Sequence, residues 1–585
     1  MEYPKLTELK TSQERIDYFL GYNHNLKIRQ GELYDMENLS SDYFPILAPR
    51  KRRGVYKSPE NVQGLIAKEK LCYVDGGSLV VGEESYNLNL STAPADCPKR
   101  LVSMGAYILI FPDKKFFNTA NPEDRGSMEA EVTTQGSVIL SPCRVDGSAQ
   151  TAEYIQATAP ANPANNTLWV DTSASPHVLK QWAEGSGQWV SIATTYVKIA
   201  AAGIGSAFRQ YDGVLLSGLK DAGGQLGEIP ESCVIWDKGE DYIVITGILD
   251  EAQTVSVPIT VRRSLPIMDF VVEAKNRLWG CRYGLDDHGE FVNRLYASKL
   301  GDFKNWNCYM GLSTDSYYGN LGTDGKFTGA ITHMGYPLFF KENCMHKVYG
   351  DTPRQFQIQD TACRGVQEGC EKSLAIVGEI LYYKSRNGVC GYDGSLPTEV
   401  SGALGEKRYH KAVAGAIGNK YYISMEESEE EEYRLFVYDT GKGLWHKEDG
   451  FHSLSFAAWQ GELYAMDGDT GKIVAMLGSV GEREEKVSWM AQTGIMGTDM
   501  PERKYISRIN VRMSMDVGGR ARFFVQYDSI GSWEHLGTVN VTSLKSFSIP
   551  IRPRRCDHLR LRVEGVGEAR VYSITKTIET GSDLG

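Results

Sequence analysis

The chain has 585 residues, of which 42% are hydrophobic and 23% charged, with 61 Gly and 32 Tyr. That length exceeds a single core, and so much Gly and Tyr favours β-structure with many turns over helix bundles. A net charge of -11 argues against tight duplex DNA binding, and no run of about 18 apolar residues occurs that would cross a membrane as a helix.

Residues 1–20 carry charges throughout and no apolar stretch, so they do not read as a secretory signal. Residues 1–58 as a whole read as an extended docking segment. Around Asn38–Pro45 the chain is expected to be extended, because the residue before Pro is pushed out of the helical region. The segment ends in Arg50, Lys51, Arg52 and Arg53. This basic cluster reads either as a docking contact to an acidic neighbour or nucleic acid, or as a solvated turn.

Seven short strand-like segments then share one pattern: Leu71-Cys72, Tyr107-Ile108, Leu278-Trp279, Leu338-Phe339, Leu381-Tyr382, Tyr421-Tyr422 and Leu463-Tyr464. The steps between their first members are 36, 171, 60, 43, 40 and 42 residues. Removing an insertion of roughly 130 residues from the long step brings it to about 40, the length of one four-stranded propeller blade. Residues 59–129 and 265–478 therefore read as one β-propeller of about seven blades, with six or eight left open because the N-terminal segment can lend a closing strand. The step of 60 implies a long loop over 312–327. Leu109, Phe111, Leu278, Phe339, Leu381, Tyr422 and Leu463 are the expected core between blades.

The insertion, 130–264, reads as a small β-domain. Trp169, Trp182 and Trp189 lie there on short strands divided by Gly, Asn and Pro turns. They either stack on sugar rings or form the core of a module too small for any other. Further on, Tyr438-Asp439 precedes Trp445 as in kelch-type blades, where Tyr and Trp pack between sheets. The acidic run 426–432 reads as a solvated hairpin tip. Strictly alternating strands at 506–513, 521–527 and 558–564 make 479–585 an antiparallel β-sandwich. Within it, Arg552, Arg554 and Arg555 either dock carboxylates bidentately or cover the sandwich edge.

A search for chemistry assigns no catalytic, cofactor or metal residue. No nucleotide loop or H-E-x-x-H motif is present, and the 10 His are isolated from one another. The 11 Cys are scattered, as for reduced thiols in a cytosolic setting, and the close pair Cys363 and Cys370 lacks the partners of a metal site. The turn from Asp439 to Trp445 is similar to the Asp-box of sialidases with one residue too many, and no arginine triad accompanies it.

Several strings together resemble bacteriophage or prophage tail proteins. They are Pro163 with Leu168-Trp169-Val170-Asp171-Thr172-Ser173 and Trp189-Val190, then Pro266 to Phe270 with Asn276-Arg277-Leu278-Trp279-Gly280-Cys281. The stretch from Asn38-Leu39-Ser40-Ser41-Asp42 to Arg50 is similar to the opening of tail-hub and nozzle proteins of short-tailed phages. This resemblance implies a virion tail component assembled in the host cytoplasm and without catalysis. Its partners would be other copies of itself in a ring, sixfold by resemblance alone, along with portal, adaptor and other tail proteins. Genomic DNA would pass through the channel during ejection without tight binding. The alternative from another class is a carbohydrate-recognising or sugar-cleaving β-propeller that binds a host receptor.

Overall fold

The structure, a computed structural model, describes residues 11–92, 99–219, 229–497, 504–552 and 554–580. Residues 1–10, part of the stretch read as lacking a signal, and Pro553 lie outside them. The described chain is mainly β: short strands joined into many small, mostly antiparallel sheets, with only 3-10 turns as helical structure. No helix among the described residues is long and apolar enough to cross a membrane.

Outside the insertion, six sheets share one construction: four strands consecutive in sequence, each bonded to the next, at 62–87, 100–127, 270–320, 329–362, 375–399 and 409–447. Each is a meander; Gly takes the positive φ in some of its tight turns, as at Gly105 and Gly418, and Lys275 and Asn276 take it in another. A seventh sheet, 453–475, has only three such strands. It is completed by Gly54–Lys57, which pairs antiparallel with Ile473–Ala475, and by Glu482–Arg483 on the far side of that strand. Glycine is needed at this junction, since a Cβ on Gly54 would fall 2.1 Å from the Val480 carbonyl oxygen.

The chain divides into two compact units, one of Met1–Leu101, Phe340–Met345 and Thr361–Gly585, the other of Val102–Phe339 and His346–Asp360. In the first unit, sheet 453–475 is packed on both faces. Leu454, Tyr464, Met466 and Ile473 meet Val62, Leu65, Leu71 and Val80 of sheet 62–87. Leu463, Ala465 and Val474 meet Tyr422, Leu435 and Val437 of sheet 409–447. The Tyr421 hydroxyl donates to the Ser373 carbonyl at 2.7 Å, and its ring lies 5.4 Å from that of Tyr382 in sheet 375–399. Burial of such apolar surface stabilises by about 25 cal/mol per Å².

The remaining part of the first unit is a sandwich of two sheets, and here the N-terminal expectation is corrected. Thr11–Ile16 pairs along its length with the last strand, Ala569–Thr580, while Leu33–Glu37 pairs with Ser488–Thr493. Strands of residues 11–57 are thus paired into the sheets of the fold and do not form a separate extended segment. The cause is apolar: Ile16, Phe19, Leu33 and Met36 are buried, and each strand, at the edge of its sheet, has one side of its backbone satisfied by pairing.

In the second unit, Leu109 and Phe116 of sheet 100–127 share a core with Val271, Leu278, Phe303 and Trp306. Trp279, Cys281 and Leu295 then pack on Phe339 and Val348. Ala130–Thr133 pairs with Thr260–Arg263, so the chain leaves and re-enters through one ladder. Two sheets follow, closed over Val138, Leu140, Val197, Ile199, Val214, Ile243 and Val261. A separate four-stranded sheet, 154–191, carries the tryptophans, and its first pair, Tyr154–Gln156 with Leu168–Asp171, is parallel.

Six of the seven expected core residues are buried, while Phe111 is half-buried. The long connection lies at 298–316, upstream of the expected 312–327, which holds the strand Tyr317–Asn320. Buried Arg277 organises it by donating to the carbonyls of Ser298 at 2.8 Å, Ser313 at 2.9 Å and Asp315 at 2.6 Å. The acidic run is also divided. Glu426 and Glu427 are buried and paired with Lys411 and Lys407, both at 2.7 Å, and only the tip beyond them is exposed.

Candidate functional site

The first basic cluster lies mostly inside the fold. Because Gly54–Lys57 enters sheet 453–475, the residues before it are drawn in with it. Arg50 and Arg53 are only 7% and 5% exposed. The Arg50 guanidinium donates to both Glu484 carboxylate oxygens, at 2.7 and 3.1 Å, and to Asn38 Oδ1 at 2.7 Å. Arg53 donates to Glu448 at 2.7 Å and bidentately to Asp449, with both contacts at 2.9 Å, and its guanidinium carbon lies 4.8 Å from the Phe451 ring centre.

Burial opposes the charge of Arg53, but Asp449 and Glu448 outweigh it and raise its pKa. In turn, burial would raise Asp449 and Glu484, yet Arg53 holds the first and Arg50 the second below the usual carboxylate range. The network joins the N-terminal strand, the last propeller-like sheet and the entry to the sandwich. Only Lys51 is exposed, while Arg52 is half-buried with its guanidinium 3.5 Å from the Glu485 carbonyl.

The second cluster is different. Arg552, Arg554 and Arg555 are all exposed, and none has an ion-pair partner among the described residues. Arg554 stands 5.5 Å from the Tyr527 ring centre. The backbone beside it is fixed, since Cys556 and Lys504 exchange hydrogen bonds of 2.9 and 3.1 Å.

The tryptophans are not equivalent. Trp169 is 4% exposed, its Nε1 donates to the Gln156 carbonyl at 2.8 Å, and the Lys180 ammonium stands 5.0 Å over its ring. It is the core of the module. Trp182 and Trp189 are half-buried and face each other as a cross-strand pair, with ring centres 5.4 Å apart at 62°. Trp189 also meets Trp169 edge-on at 5.2 Å. Edge-to-face packing of this kind stabilises a small sheet by about 0.5–1.5 kcal/mol per pair.

The Asp439 turn is structural. Its buried carboxylate accepts from Ser41 Oγ at 2.6 Å, Lys442 Nζ at 2.9 Å and Asn419 Nδ2 at 3.0 Å, which pins the N-terminal segment to the sheet. Trp445 Nε1 reaches the Val400 carbonyl at 2.8 Å, beyond the end of the neighbouring sheet. The thiols of Cys363 and Cys370 are pushed up to about 11 by burial, so both are protonated at neutral pH. Among the described residues no group of three or more His, Cys, Asp or Glu is placed to hold a metal ion.

One arrangement escaped the sequence. His346 is fully buried, with Nδ1 2.5 Å from Asp360 Oδ1 and Nε2 3.1 Å from Thr323 Oγ1. The order hydroxyl, imidazole, carboxylate is that of a nucleophilic triad. Here the ring is enclosed beside Phe327, with centroids 6.1 Å apart, and the chain of bonds ties the connection after Tyr317–Asn320 to two later strands. Residues so spaced give no local motif by which a sequence reading could find them.

No protein-family model matches the chain, and no curated protein matches it. It is similar to the solved exo-β-1,3-galactanase of Phanerochaete chrysosporium with galactose at 8% identity and a TM-score of 0.21, over 52% of this chain and 94% of that one. For BamB of Moraxella catarrhalis the identity is 11% and the TM-score 0.23, over 64% and 92% of the two chains. For PorZ of Porphyromonas gingivalis they are 11% and 0.25, over 89% and 77%. Likenesses of this size bear on neither activity nor ligand.

Proposed function

We propose that the chain is a non-catalytic structural component of a phage tail. Its seven sheets close one propeller, its copies form a ring around the DNA exit channel, and its neighbours are portal, adaptor and other tail proteins. The supporting observation is how the first and last described strands are held. The first described strand, Thr11–Ile16, is laddered to the last, Ala569–Thr580, and Gly54–Lys57 completes the final propeller-like sheet. Neither strand can peel away without opening a hydrogen-bonded ladder, which suits a subunit loaded by genome passage. The propeller reading is supported by the repeated four-strand sheets and by sheet 453–475 packing against both 409–447 and 62–87.

Mass spectrometry and electron microscopy of purified particles test this reading. The chain should be present at ring stoichiometry, and the isolated protein should bind duplex DNA weakly even at low salt, because its net charge of -11 opposes a polyanion. Absence from particles together with a monomer that never assembles would remove the proposal.

A second reading, a carbohydrate-recognising or sugar-cleaving propeller for host-receptor binding, is favoured by the half-exposed Trp182 and Trp189, whose rings pair on one face of their sheet. A glycan array with Trp182→Ala as control tests it: binding that the variant loses supports it, and a blank array rejects it.

A further inference from the structure

Beside sheets 375–399 and 409–447, their connection leaves a cleft of about 490 Å³. The turn Arg386-Asn387 lines one part of it, Glu406-Lys407-Arg408 another, and Leu404 and Tyr409 add apolar surface. Gly405 sets the course of the connection at φ 77°, a conformation costly for any residue with a side chain.

Charge in the cleft is unevenly committed. Lys407 is paired with Glu427 and Glu399 with Arg364, each at 2.7 Å. Arg386, Arg408 and Glu406 are exposed and have no ion-pair partner among the described residues. Lys384, 3% exposed, also lines the cleft, and its ammonium donates to Gln367 Oε1 at 2.8 Å and the Ser385 carbonyl at 2.6 Å. An ammonium has three donors, so one remains. Burial holds the Lys384 pKa below the ordinary lysine value, and Arg408 adds to the effect.

These groups select a ligand of mixed character. A bare phosphate would be repelled by Glu399 and Glu406, and a neutral sugar would leave two guanidinium groups unused. A body with one anionic group and several hydroxyls satisfies both sets, since guanidinium forks bind carboxylate or phosphate bidentately while carboxylates accept from hydroxyls. The volume lies within the range of about 300–1,000 Å³ usual for small-molecule clefts. We infer that this cleft binds an anionic sugar, a hexose unit bearing a carboxylate or a phosphate.

The site is separate from the tryptophan module, and the inference rests on neither reading of function given above. Isothermal titration of the full chain with glucuronic acid, glucose 1-phosphate and glucose tests it. At least one charged sugar should bind, with affinity that falls as salt is raised, and glucose should bind at least about tenfold more weakly. The two charged arms distinguish carboxylate from phosphate. The double variant Arg386→Ala/Arg408→Ala, exposed at both positions, should keep its melting temperature and lose at least about tenfold in affinity. Binding of neither charged sugar, equal binding of glucose, or full affinity in the folded double variant would each overturn the inference.

Discussion

Arg50–Arg53 and Arg552–Arg555 look alike as text, yet their surroundings are opposite. In the first, Arg50 and Arg53 are buried among Glu448, Asp449 and Glu484. In the second, Arg552, Arg554 and Arg555 stand in solvent beside an isolated backbone bridge between Cys556 and Lys504 that needs none of them. What separates the clusters is the fate of the adjoining backbone. Gly54–Lys57 must enter a sheet interior, and a guanidinium carried inward persists only if carboxylates meet it. A basic run therefore marks a docking surface only where no neighbouring strand is consumed by the core.

The sharpest break of this contrast is Arg53→Ala, which leaves buried Glu448 and half-buried Asp449 with their main partner gone. Removing one partner of a buried ion pair costs about 3–5 kcal/mol, so the melting transition of this region should fall by many degrees. A loss near zero would mean that the pairs behave as screened surface contacts, and the contrast would collapse.

Acid should dissolve the same network without mutation. Asp449 and Glu484 have folded-state pKa values depressed below their ordinary ones by their arginine partners. Such groups contribute stability that is complete above the unfolded values, about 3.9 for Asp and 4.3 for Glu, and is lost as pH falls through the folded ones. His446, two residues before Glu448, adds an earlier limb. Burial first, then Lys420, lowers its pKa to about 3, so its neutral ring contributes stability above its unfolded pKa of about 6.5 that fades as pH falls from there. Melting temperature against pH should decline below about 6.5, more steeply below about 4. His446→Gln should flatten the upper limb alone, and an unchanged upper limb in that variant would refute the assignment.

How much could be read in advance follows the same logic. Strand positions were legible because alternation and apolar runs are local: Leu278, Leu381 and Leu463 are buried as their neighbours in sequence imply. Pairings between distant segments were not. Nothing near Thr11–Ile16 announces Ala569–Thr580, and nothing near Arg53 announces Asp449. The carboxylates that meet Arg50 and Arg53 likewise lie across the fold, whereas Trp169 is buried by neighbours within its own small sheet, the core reading of the two that its sequence allowed. The loop at 298–316 was misplaced because one buried side chain, Arg277, gathers its carbonyls. His346 with Asp360 and Thr323 is likewise a product of strand order.

Within the first cluster the exposed member offers a smaller, internal control. Lys51→Ala should change stability by no more than about 0.5 kcal/mol, as for an ordinary surface site. Equilibrium denaturation of Lys51→Ala beside Arg53→Ala measures the gap between two positions separated by a single residue. A large effect at Lys51 would show that burial does not discriminate between them.

The smallest expected effect on stability, and the most informative on association, belongs to the triple variant Arg552→Ala/Arg554→Ala/Arg555→Ala. All three side chains are exposed, and the nearby fold is held by backbone bonds between Cys556 and Lys504. The melting temperature should therefore stay within the range of ordinary surface changes, about 0.5 kcal/mol. If the trio docks on a net-acidic surface, it contributes through long-range attraction, which speeds encounter and weakens with salt. Wild-type self-association or binding to neighbouring tail proteins, followed by light scattering across a salt series, should then decline with ionic strength, and the variant should bind weakly at every salt. Should the variant associate as wild type while its salt dependence is unchanged, the arginines merely cover the sandwich edge. A sharp fall in its melting temperature would instead place this cluster in the same class as Arg50 and Arg53.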